Sequence, residues 1–118
     1  MAIAKTYRTS LFMIPSEGSH VLYGDWYDDE GYPWPEVRGI IIDPKQVTQL
    51  SQKLGIGEDM VLRAILAHEH GHVYAFYMNQ DNEDEELAWE YAQEVFYHGP
   101  PDAFERVRAY ALASYGLV

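Results

Sequence analysis

His68, Glu69 and His72 are the residues whose types and spacing most directly imply chemistry. They lie in Ala67-His68-Glu69-His70-Gly71-His72, inside a run from Met60 to Met78 whose apolar residues Val61, Ile65, Val73 and Phe76 recur at helical spacing. Two histidines at i and i+4 stand one above the other on a helix face. Their imidazoles can converge on one zinc ion at distances of about 2.0–2.1 Å. Glu69 projects about 100° further round the helix. That suits it to take a proton from a metal-activated water rather than to ligate beside the histidines. His70 points away from that ion. Chance solvated histidines are the alternative, but the motif's place between apolar turns opposes it. Gly71 costs about 1 kcal/mol in a helix interior relative to Ala, which calls for a close approach by another chain segment there.

A catalytic zinc site takes three protein ligands. The chain has no cysteine, so the third must be a carboxylate or another histidine. Candidates lie in Asp84-Glu85-Glu86-Leu87-Ala88-Trp89-Glu90-Tyr91-Ala92. If Leu87, Ala88, Tyr91, Ala92 and Val95 form the apolar face of a helix, Glu85 lies at its edge, while Glu86 and Glu90 face the opposite side. The helix face therefore favours Glu85. Glu86, paired with Glu90 at i, i+4, is the alternative if the phase is off by one residue. Small Ala88 and Ala92 would let the two helices pack closely.

The remaining elements must position these residues. Residues 2–14 and 20–27 read as strands, Asp28–Pro35 as a loop, and Val37–Ile42 as a short β-branched strand. Asp43 caps a helix opened by Pro44 and ended near Leu54 by Gly55 and Gly57. The motif helix follows, then a break at Asn79–Asn82. A helix runs from about Glu83 to Tyr97, and a last one from Pro101–Asp102 to about Tyr115. The fold class is α+β: a small N-terminal antiparallel or mixed sheet followed by helices, with residues 1–118 as one domain.

Composition narrows the function classes. The 118 residues are 47% hydrophobic and carry a net charge of −11 with only 8 Lys and Arg. Such a chain folds, and it lacks the basic patch that nucleic-acid binding needs. No signal peptide or membrane-length apolar run is apparent, so a cytoplasmic location and no membrane partner are expected.

The stretch Arg63-Ala64-Ile65-Leu66-Ala67-His68-Glu69-His70-Gly71-His72, followed by Glu85-x-x-Ala88-x-x-Tyr91-Ala92, resembles gluzincin metallopeptidases. The ImmA/IrrE-type peptidases and the short minigluzincins are the nearest patterns, over roughly residues 36–97. The resemblance implies an endopeptidase acting on a peptide or protein substrate, its zinc held by His68, His72 and Glu85, with Glu69 as general base. It implies a strand above the cleft that pairs with substrate, here Val37–Ile42. It also leaves room for self-inhibition by a chain terminus, such as Gly116–Val118, or by dimerisation. Trp89 stands where many such proteins carry Asp or Asn to orient a metal-bound histidine. Candidates for an oxyanion donor are His98, Tyr97 or a Tyr of the last helix, such as Tyr110, though each is more often a packing or helix-end residue, and the sequence assigns none of them. A catalytically silent zincin-fold regulatory protein is the competing reading, and a purely structural helical domain a third.

Overall fold

A computed structural model describes residues 10–116 of the chain. Strand β1 (Ser10–Met13), β2 (His20–Tyr27) and β3 (Pro33–Ile42) form a three-stranded mixed sheet in the order β1-β3-β2. β1 runs parallel to β3, from Ser10 opposite Gly39 to Met13 opposite Ile42. β2 runs antiparallel to β3, and an extra β3 residue, Arg38, shifts the register between Leu22 and Tyr23. The part of the first strand expectation that precedes Ser10 lies outside the described residues.

The sheet differs from expectation at Pro33–Pro35, which were expected in a loop and instead open β3. Among the described residues β1 pairs only from Gly39 onward, which leaves this end of β3 as an edge, where residues lacking an N–H are tolerated. The turn before it is closed by Asp28, whose Oδ1 accepts from the amides of Glu30 and Tyr32 at 3.0 Å each.

Helix α1 (Pro44–Leu54) follows directly. Asp43 caps it by accepting from the amide of Lys45, and Gly55 ends it in the left-handed region at φ 69°. Buried Asp43 also accepts from the amide of Gly18. Burial opposes its charge, but the backbone donors outweigh burial and hold the carboxyl below its ordinary range.

Helix α2 (Glu58–Tyr77) begins at Glu58, with acidic Glu58 and Asp59 at its positive end. It touches β2, β3 and every other helix, so it is buried nearly all round. Val61, Ala64, Ile65 and Val73 pack with Ile40 and Ile42 of β3 and with Phe104, Val107 and Leu112 of the last helix. That last helix, α4, spans Pro101–Ser114.

Helix α3 (Glu85–Tyr91) starts at Glu85, capped by Asp84, which accepts from the amide of Leu87. It continues as a π-helical turn, Ala92–Phe96, where the amide of Tyr97 reaches the carbonyl of Ala92. The wider turn changes the phase of the helix. Val95, expected on the apolar face, is therefore exposed, while Phe96 packs against the rings of His70 and Tyr74. Trp89 is the largest fully buried side chain. The architecture is α+β, a small mixed sheet with four α-helices. Among the described residues, no helix is long and apolar enough to cross a membrane.

Candidate metal centre

The site forms where α2 and α3 come closest. A Cβ placed on Gly71 would lie 2.0 Å from the carbonyl oxygen of Ala88. Only glycine admits that approach, which accounts for a residue otherwise unfavourable in mid-helix. Ala88 and Ala92 are fully buried in the same seam. The close packing brings the first turn of α3 beside the second half of α2.

His68, Glu69 and His72 form a buried group whose ligand-type atoms lie within 4.8 Å of one another. Glu85 joins them from α3. Its Oε1 lies 2.9 Å from Nε2 of His68 and 3.2 Å from Nε2 of His72, and the two Nε2 atoms are 3.1 Å apart. The two carboxylates occupy different sides of the histidines. Oε2 of Glu69 lies 3.3 Å from Nδ1 of His68, not from Nε2. The set able to share one ion is thus the two Nε2 atoms and Oε1 of Glu85. Two ligands about 2.0–2.1 Å from a tetrahedral zinc are about 3.3 Å apart, close to all three edges of this triangle. Glu86 and Glu90 are exposed on the far side of α3.

The proton positions strengthen the fit. Nδ1 of His72 is 2.7 Å from the carbonyl oxygen of Asn82, which can only accept, so Nδ1 carries the proton. In the neutral ring Nε2 is then a bare lone pair. Nδ1 of His68 likewise faces the carboxylate of Glu69. Two lone pairs and a carboxylate oxygen therefore meet in a nearly dry place, an arrangement that requires a cation or a proton between them. With protons alone, burial lowers the pKa of His68, yet hydrogen bonding and charge from Glu69 and Glu85 outweigh burial and lift it to about 9. Burial raises that of Glu85, but the two histidines outweigh it and bring it down to about 2.

Trp89, in the position where an orienting carboxylate was expected, stacks on His68 with ring centres 4.3 Å apart and planes 13° from parallel. It fixes the imidazole by contact. Its own Nε1–H is buried without a hydrogen-bond partner. His70 turns away from the site as expected, its Nδ1 2.8 Å from the carbonyl of Leu66.

The centre opens into a cleft of about 520 Å³ whose opposite wall is β2, through His20, Val21 and Tyr23. This corrects the expectation that Val37–Ile42 lies above the cleft as the pairing strand. β3 is the middle strand there, with both edges occupied by β1 and β2. Among the described residues β2 has a neighbour on one side only, so its other edge is the one available to a guest.

The candidate oxyanion donors are also elsewhere. The hydroxyl of Tyr97 donates to the carbonyl of Pro100, Tyr110 meets Lys53, and His98 lies on the side of α2 near Arg63 and His70. The cleft is faced instead by Tyr23 and Tyr115. Burial, reinforced by the charges of Glu85 and Glu69, pushes the Tyr115 phenol up to about 12, so it remains a donor at neutral pH. Burial likewise raises Tyr23. Nothing local marks either tyrosine in the sequence; only the return of α4 and the crossing of β2 bring them here. A groove of about 590 Å³ lies between α1 and α4, lined by glutamines and Lys53, and meets the cleft at Tyr115. Among the described residues its lining holds no carboxylate or imidazole, so the chemistry is assigned to the smaller cleft.

No protein-family model, curated protein or solved structure matches this chain.

Proposed function

We propose that the protein is a zinc-dependent endopeptidase that binds its metal through His68, His72 and Glu85. The observation that carries this reading is the triangle of two imidazole lone pairs and one carboxylate oxygen with edges of 2.9–3.2 Å. The absence of thiols and the borderline-hard N/N/O donor set suit zinc. A zinc ion held there supplies a Lewis acid and brings the pKa of a bound water to about 7.

The chain's own residues would do the rest. Glu69, one step round α2 from His68, takes the proton of the attacking water and hands it to the leaving amine. The phenols of Tyr115 and Tyr23 line the same cleft and would donate hydrogen bonds to a developing oxyanion. The open edge of β2 pairs with the backbone of an extended substrate, which gives affinity without demanding a particular side chain.

A second reading, a catalytically silent binding protein on the same scaffold, is favoured by one detail. Oε2 of Glu69 engages Nδ1 of His68, the work of an orienting carboxylate rather than of a base. Two measurements separate the readings. Metal analysis of the purified protein should give one zinc per chain. Cleavage of an unfolded protein such as casein should vanish in Glu69→Gln while zinc is retained. A zinc-loaded protein that cleaves nothing supports the silent scaffold, and a protein that takes up no zinc removes both readings.

A further inference from the structure

The hairpin of β2 and β3 carries a surface that the metal centre does not use. Trp26, Tyr27, Tyr32 and Trp34 are all exposed there, Tyr27 and Tyr32 by more than 60%. Trp26 and Trp34 face each other across the strands, their rings 6.3 Å apart and 22° from parallel. The Nε1–H of Trp34 donates to Oδ2 of Asp28 at 2.9 Å, and Asp28 also closes the turn. The aromatic surface is therefore held in place rather than loosely displayed.

The charges around it have one sign. Asp25, Asp28, Asp29, Glu30 and Glu36 belong to the same hairpin, against a single base, Arg38. Arg38 is already engaged, donating to the carbonyl of Asp25 and lying 3.3 Å from the carboxylate of Glu36. Among the described residues no Lys or Arg pairs with Asp25, Asp29 or Glu30.

We propose that this hairpin docks a cationic peptide segment along the open edge of β2, its Lys and Arg side chains alternating between the Trp26–Trp34 face and the Tyr27 face of the sheet and pairing with Asp25, Asp29 and Glu30. Aromatic faces attract cations through the ring quadrupole, and free carboxylates beside them add the complementary charge. A second copy of this chain would bring the same acidic hairpin against it, and an anionic lipid surface would be repelled. A neutral sugar would use the rings but leave the carboxylates unanswered.

The hairpin is also continuous with the cleft. Val21 and Tyr23 line the cleft, and the two-residue period of the strand puts Asp25 and Tyr27 next on the same face. At about 3.3 Å per residue, Tyr27 lies about 13 Å along the strand from Tyr23. An extended chain paired with β2 in the cleft thus reaches the hairpin with residues about four positions from the one beside Tyr23. That the docked segment belongs to the substrate rests on the peptidase reading; the docking does not.

The test is fluorescence anisotropy with a labelled peptide of alternating Lys and Ser, against a same-length peptide of alternating Glu and Ser. It uses the full chain, once treated with EDTA and once loaded with zinc. The Lys peptide should bind, more weakly as salt is raised, and the Glu peptide should not. The double variant Asp29→Asn/Glu30→Gln should weaken binding roughly fivefold. Trp26→Ala should weaken it about two- to fivefold. Zinc content and melting temperature should stay unchanged in both, which separates lost docking from lost folding. Equal binding of the two peptides, or binding unmoved by these variants, overturns the proposal. So does sedimentation showing a dimer that Trp26→Ala dissolves while the Lys peptide does not bind. Failure to take up zinc or to cleave protein would instead remove the peptidase reading and leave the anisotropy result standing.

Discussion

The two walls of the cleft are built on opposite terms. The α2–α3 wall has no slack: a glycine meets a backbone carbonyl, two alanines fill the seam, and His68, Glu69 and His72 are buried beside a half-buried Glu85. Among the described residues the β2 wall is paired along one side only, and it runs out into a hairpin of exposed aromatics and carboxylates. The difference teaches where each kind of work can be done. Metal ligands must be held to a fraction of an ångström, and the proposed ones sit on packed helices. Recognition of a chain needs an open edge and reachable side chains, so it sits on the strand.

The largest effect should come from breaking the helical wall at its ligands. His68→Ala and His72→Ala should each abolish stoichiometric zinc in metal analysis. They should also remove the rise in melting temperature that zinc gives to the parent. Retained zinc in either variant would dismiss the triangle as a metal site. Glu85→Gln should weaken zinc binding by at least about tenfold, whereas Glu86→Gln and Glu90→Gln, both exposed, should leave a zinc titration unchanged. A larger effect at Glu86 would mean that α3 is rotated from the arrangement described.

Next comes the seam. Gly71→Ala adds one methyl group against the carbonyl of Ala88, with no flexible side chain to yield. The helices must part, which should destabilise the protein by about 1–3 kcal/mol. Parting them also withdraws Glu85 from the histidines, so zinc affinity should fall together with the melting temperature. A variant that melts normally and binds zinc normally would show that the wall has slack after all.

The helical wall was also the more legible half in the sequence. His68, Glu69 and His72 announce themselves by spacing, Glu85 by its position on a helix face, and Gly71 by its cost in mid-helix. Asp43, Pro44 and Gly55 marked α1 because capping is local chemistry. What escaped depends on distant contacts. The π-turn at Ala92–Phe96 has no local signal, and it misplaced Val95 on the buried face. Pro33 and Pro35 read as loop residues because their tolerance in β3 depends on where β1 begins. The strand order is not encoded in either strand's own pattern, so β3 was taken for the wall that β2 forms. Trp89 was noted for the residue it replaces, while its stacking on His68 needed the packing of α3 on α2.

Acid and base should sharpen the contrast further, because the ionisable groups with large opposing shifts lie on the helical wall. Without metal, His68 has its pKa raised from 6.5 to about 9, so its contribution to stability is complete below pH 6.5 and lost as pH rises through about 9. Glu85 is lowered from 4.5 to about 2, so its contribution is present above pH 4.5 and lost as pH falls through about 2. On the zinc reading, the metal would have to displace the proton on His68. Its affinity should therefore rise roughly tenfold per pH unit between the two pKa values of that ring, from 6.5 towards about 9. Melting curves with EDTA and with zinc should diverge as pH rises from 6.5 to 9, the apo protein losing stability while the loaded protein holds. A constant gap between the curves would contradict displacement of a bound proton.

The smallest effect belongs to the hairpin. Trp34→Phe keeps an aromatic ring opposite Trp26 but deletes the Nε1–H that donates to Asp28. The bond is exposed, so water replaces the lost donor, and no buried group is left unpaired. Asp28 keeps its two backbone donors, which hold the turn on their own. Its pKa, held below the ordinary range by Trp34 first and by the Tyr32 amide next, should move up in an NMR titration. The loss in stability should stay within about 0.5 kcal/mol, and zinc affinity should not change. Amide exchange should quicken at Glu30 and Tyr32 and remain as slow as in the parent along α2. A loss as large as that of Gly71→Ala, or faster exchange in α2, would mean that the hairpin is part of the same cooperative unit as the metal wall. The contrast between a rigid floor and an independent docking strand would then fall.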